Sequence, residues 1–71
     1  MKLGYYNPQL KLKQITKDKK VIGTLLLTHK AYGYTVDLHY FTTPGYAVQE
    51  VFPTQEKAER FFNKTYEEVQ K

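Results

Sequence analysis

Asp37 and His39 stand two residues apart in the stretch YGYTVDLHYF, residues 32–41. In an extended chain that spacing puts a carboxylate and an imidazole on one face. A positioned carboxylate–imidazole pair is the minimum for acid–base chemistry. Nucleophilic catalysis also needs a nucleophile, and the 71-residue chain has no cysteine and no serine. A metal site built from His29, Asp37 and His39 has too few ligands to close. No glycine-rich phosphate loop is present. The residues therefore predict no enzyme, no metal and no cofactor, and they predict a binding module.

The charge pattern narrows what is bound. The chain carries +4 overall, yet residues 1–30 hold seven lysines against the single acid Asp18. Residues 31–52 hold only Asp37 and Glu50, and the remainder is balanced. A field of one sign over one part of a small protein suggests an anionic partner. A solubilising lysine surface is the competing interpretation.

Hydrophobic periodicity supplies the elements that must position these residues. Residues 1–8 are irregular, with turn formers at Gly4, Asn7 and Pro8. Residues 9–16 alternate weakly, with Leu10 and Leu12 on one face and Lys11 and Lys13 on the other. The segment KDKK at 17–20 reads as a polar turn. Residues 21–29 read as a second strand, in which Gly23 marks a bulge or close approach. Residues 34–41 alternate cleanly. Pro44-Gly45 then predicts a tight type II turn into a strand over 46–52, with Tyr46, Val48, Glu50 and Phe52 sharing one side.

Pro53 ends that strand and Thr54 is a good N-cap. Ala58, Phe61, Phe62, Thr65, Tyr66 and Val69 form the stripe of an amphipathic helix over residues 54–70. Glu56–Arg60 and Glu67–Lys71 are supporting i,i+4 pairs.

The expected fold is α+β. It is a single domain with a small antiparallel three- to four-stranded sheet over residues 9–52 and one C-terminal helix on one face, in the order β-β-β-β-α. Leu25, Leu27, Val36, Leu38, Tyr40, Val48 and Phe52 would meet the helix. The second face, left open, would carry Thr24, Leu26, Thr28, Thr35, Asp37, His39, Ala47, Gln49 and Val51. Without disulfides, so short a chain must rely on packing, to which its 11 aromatics contribute. No apolar run approaches the roughly 20 residues needed to span a bilayer. The N-terminus lacks the apolar stretch of a secretory signal. A cytoplasmic location fits both.

An open sheet face can enter the DNA major groove. In that reading Lys11, Lys13, Lys19, Lys20 and Lys30 neutralise phosphates, while Thr35, His39 and Gln49 meet base edges or phosphates. VFPTQEKAERFF resembles the strand-to-helix junction of the arm-type, AP2-like DNA-binding domains of tyrosine recombinases, through Phe52, Thr54, Glu56 and Ala58. The preceding YGYTVDLHYFTTPG is similar to the second strand and glycine turn of those domains. The resemblance covers residues 32–62 and implies that the open face binds duplex DNA. Asp37 and Glu50 depart from that pattern.

Two rivals remain. Exposed aromatics such as Tyr5, Tyr6, Tyr32 and Phe41 would suit stacking on RNA bases. A protein-interaction module, such as a small phage or bacterial regulator or a homodimer, would use the first strand as an edge. Ile22, Leu26, Phe41 and Val51 would form its contact patch.

Overall fold

A computed structural model describes residues 9–70. The expected irregular segment 1–8, with Tyr5 and Tyr6, and the Glu67–Lys71 pair lie outside the described residues. The elements are β1 (Gln9–Lys17), β2 (Lys20–Lys30), β3 (Gly33–Tyr40), β4 (Val48–Phe52) and α1 (Gln55–Gln70). One antiparallel sheet has the order β1-β2-β3-β4, so β1 and β4 are its edges. The helix contacts all four strands. This is the α+β arrangement that the periodicity predicts, with four strands rather than three.

The helix forms because its apolar residues recur at helical spacing. Ala58, Phe62 and Thr65 are buried, and Phe61, Tyr66 and Val69 pack at the margin of the core. Thr54 Oγ1 accepts the Lys57 N–H at 3.3 Å, satisfying one of the donors that a helix start leaves free. Arg60 and Glu56 pair at 2.8 Å, but both are largely exposed, so the pair contributes only about 0.3–0.5 kcal/mol.

Beneath the helix lie Ile15, Leu25, Leu27, Val36 and Leu38, all buried. Cross-strand register explains the selection. Ile15 faces Gly23, Leu25 faces Leu38, and Leu27 faces Val36. These positions therefore share one surface of the pleat.

β1 departs from the sequence reading in a specific way. Lys11 faces Leu27 and Lys13 faces Leu25, so both lysines lie on the helix side. Leu12 faces Leu26 on the second face and is 53% exposed. The arrangement holds because a lysine stem is apolar while its ammonium can reach outward. Lys11 Nζ sits 5.3 Å from the Phe62 ring centroid, and Lys13 Nζ sits 5.4 Å from that of Tyr66. Lys11 Nζ also donates to Asn63 Oδ1 at 3.3 Å. The two lysines close the rim of the core, and Ile15 is the strand's fully buried contribution.

Two connections shape the ends of the sheet. Asp18 and Lys19 both take positive φ, 54° and 67°, in the two-residue turn between β1 and β2. Two positive φ values mark a type I′ hairpin turn, which matches strand twist and favours Asn-Gly. The β3–β4 connection is longer than a tight hairpin, since residues 41–47 all lie outside the strands. Gly45 does take the expected positive φ, 79°. Tyr46, however, turns away from the ladder and packs its ring edgewise on His39.

Candidate nucleic-acid interface

The second face is a set of lateral rows. Gln14, Thr24 and His39 form one; Leu12, Leu26, Asp37 and Gln49 form the next; Thr28, Thr35 and Val51 form a third. Its centre is not open. Thr28 is buried, Thr35 is 2% exposed and Asp37 is 6% exposed. This corrects the expectation of a polar face left bare. Thr35 cannot meet a base edge from that position. His39 is half-buried at one margin, and Gln49 is exposed on β4.

Neither Thr35 Oγ1 nor Asp37 Oδ1 has a hydrogen-bond partner among the described residues. An unpaired hydroxyl in a buried site costs about 1–3 kcal/mol. Thr35→Val keeps the shape and replaces that hydroxyl with a methyl. We expect a gain of about that size, read as a higher urea midpoint at unchanged slope. A lower midpoint would mean that the hydroxyl is satisfied in solution.

The lysines expected to neutralise phosphates alongside the open face are distributed over three places. Lys11 and Lys13 are on the helix side, over the rings of Phe62 and Tyr66. Lys30 ends β2, whereas Lys20 begins it. At roughly 3.3 Å per residue the two are about 33 Å apart along the strand. Lys19 and Lys20 are exposed at the β1–β2 turn, together with Lys17, a residue that its type and spacing did not single out. None of these three turn lysines forms a salt bridge among the described residues.

The turn end carries more than charge. β2 runs away from this end and β3 returns to it, with Gly23 paired to Tyr40. Phe41 N–H donates to Ile22 O at 2.9 Å, carrying the ladder one step further. The β3–β4 loop therefore sits at the same end as the lysine turn. Phe41 is 55% exposed and Tyr46 is 58% exposed. Both meet His39 edgewise, with ring centroids 6.2 and 6.0 Å away and interplanar angles of 68° and 64°. His39, Gly45 and Tyr46 line a hollow of about 220 Å³. That is smaller than the roughly 300–1,000 Å³ of pockets enclosing a small-molecule ligand.

His29 belongs elsewhere. It lies opposite Tyr34, stacked on it at 4.3 Å with an interplanar angle of 7°. By register it falls on the helix side, whereas Asp37 and His39 fall on the second face. The three do not converge, and no group of three potential metal ligands occurs among the described residues.

Of the residues singled out from the sequence, the structure brings Lys19, Lys20, His39 and Phe41 to one end. It places Lys11, Lys13, Thr35 and Lys30 elsewhere. Lys17 and Tyr46 complete the group. Their signals were the KDKK turn and the aromatics that bracket the TTPG loop. Comparison with protein-family models, curated proteins and solved structures returned no match. No helix among the described residues is long and apolar enough to cross a membrane.

Proposed function

We propose that the protein is a small nucleic-acid-binding module whose contact surface is the turn end of the sheet. The observation that carries this reading is that three lysines without a salt bridge among the described residues stand at the same end of the sheet as a cluster of exposed rings. Lysines at the tip of a hairpin neutralise phosphates and release counterions. Exposed rings beside them offer stacking surfaces for bases.

Backbone strain at Lys19 supports the reading. Its φ of 67° is the left-handed conformation, which costs a non-glycine residue about 1–2 kcal/mol. Glycine would relieve that cost, yet a cation occupies the position. Lys19→Gly should stabilise the fold by about 1 kcal/mol while weakening binding. The salt dependence of log K should fall by about 0.7–0.9 for the lost phosphate contact. Urea unfolding and fluorescence anisotropy with labelled oligonucleotides at several salt concentrations check the two halves. Failure of any oligonucleotide to bind at low salt would remove this function.

A second reading has its own support. Leu12 and Val51 are exposed on the second face, with half-buried Leu26 beside Leu12. Both β1 and β4 are edge strands among the described residues, and an edge strand can accept a partner strand. A protein partner, or a second copy of this chain, would use that surface. Its affinity would change little with salt.

A further inference from the structure

We infer that the turn end selects single-stranded over double-stranded nucleic acid. This inference rests on the binding function just proposed and specifies its ligand. Three features of the site carry it.

The first is what the rings present. Phe41 and Tyr46 stand steeply to the His39 imidazole and remain more than half exposed. Stacking requires a base whose own face is free. In a duplex every base face is covered by its neighbours, so only an unpaired strand can splay a base onto such a ring.

The second is what the sheet lacks for reading a duplex. Groove recognition needs several polar side chains projecting together from a strand or helix. The polar residues at the centre of the second face, Thr28, Thr35 and Asp37, are buried. Lys11 and Lys13 cannot assist from the far side of the sheet, where they lie over Phe62 and Tyr66.

The third is spacing. Lys17 pairs with Lys20, three residues before the Gly23–Tyr40 rung. The lysine turn therefore reaches about 10 Å past the last paired residue of β3. By register Lys17 and Lys20 point to the helix side, whereas His39 and its ring neighbours lie on the second face, so a ligand that meets both must bend around this end of the sheet. A flexible single strand can make that bend and turn its bases inward. A stiff duplex would present phosphates to the lysines and leave the rings unused.

The test is fluorescence anisotropy with the whole chain against labelled oligo(dT), oligo(U) and a duplex of the same length. Each is titrated at low and at moderate salt. Both single strands should bind more tightly than the duplex. Phe41→Ala and Tyr46→Ala should each weaken single-strand binding by roughly 5- to 150-fold, the effect of removing one stacking ring. Duplex binding should stay unchanged in both. Both side chains are exposed, and circular dichroism checks that the fold survives. Phe41→Leu and Tyr46→Leu repeat the test with apolar bulk retained and the ring removed, and should show the same loss.

Duplex binding as tight as single-strand binding would overturn the inference and leave the broader nucleic-acid function standing. So would ring variants with undiminished single-strand affinity. Absence of binding to all three probes would overturn both. A preference between oligo(dT) and oligo(U) would distinguish DNA from RNA as the source of the strand, and either outcome supports a single-stranded ligand.

Discussion

Phe62→Ala should leave this protein largely unfolded or close to it. Phe62 is 1% exposed and is the largest fully buried side chain in the core. It lies on the helix stripe against Ile15, Leu25, Leu27, Val36 and Leu38, so it joins the helix to the sheet. Truncating a buried phenylalanine costs about 3–5 kcal/mol, through lost transfer energy and the cavity left behind. Chains of this length have roughly 4–10 kcal/mol of stability in total. The substitution therefore removes a large part of what holds the fold. It also removes the ring beneath the Lys11 ammonium, which sits 5.3 Å from its centroid. We expect a urea midpoint reduced by half or more, or no cooperative transition at all. A loss below about 1 kcal/mol would mean that the helix does not depend on this contact.

The exchange at β1 shows why the fold was easier to read from the sequence than the site. The helix was legible because six apolar or small residues hold a 3.6-residue period, and all of them face the core. β2 and β3 were legible because Leu25, Leu27, Val36 and Leu38 hold a strict period of two. β1 was legible as a strand but not in its orientation. Its lysines face the helix and its Leu12 faces away, the reverse of what residue type implies. Nothing in that segment alone shows that Phe62 and Tyr66 accept the lysine stems.

Thr35 and Asp37 raise the same difficulty, since both types are usually found at the surface, yet both are buried. Tyr46 was misplaced because Pro44-Gly45 suggests a tight turn, whereas residues 41–47 form a longer loop. As for the site, Lys19, Lys20, His39 and Phe41 were each distinctive by type. Their meeting at one end follows from strand order and register, which pair residues far apart in the chain. Individual residue types carry no record of that pairing.

Gly23→Ala should be nearly as damaging as the loss of Phe62, although it adds only one carbon. A Cβ at this position would lie 2.5 Å from the backbone oxygen of His39 and 3.1 Å from Tyr40 Cα. Both are main-chain atoms of the neighbouring strand, so no side-chain rotation relieves the overlap. The Tyr40 ring also lies within 3.1 Å of the added carbon, covering the space that a side chain would fill. A register shift beside this position makes Ile22 an extra residue in β2. Such a bulge bends and twists the strand locally, and at Gly23 β2 lies close against β3.

The added methyl must therefore push β2 and β3 apart where Gly23 pairs with Tyr40. The adjoining Phe41–Ile22 hydrogen bond, 2.9 Å long, would be strained with it. Overpacking a tight site costs about 1–3 kcal/mol when side chains can adjust, and more when the backbone must move. We expect Gly23→Ala to cost about 3 kcal/mol or more, with Gly23→Val costing more still. Because this rung lies beside His39 and Phe41, single-strand affinity should fall even in the fraction that remains folded. Urea unfolding measures the first effect, and anisotropy corrected for the folded fraction measures the second. A midpoint for Gly23→Ala equal to that of the unaltered chain would show that the two strands do not approach so closely in solution.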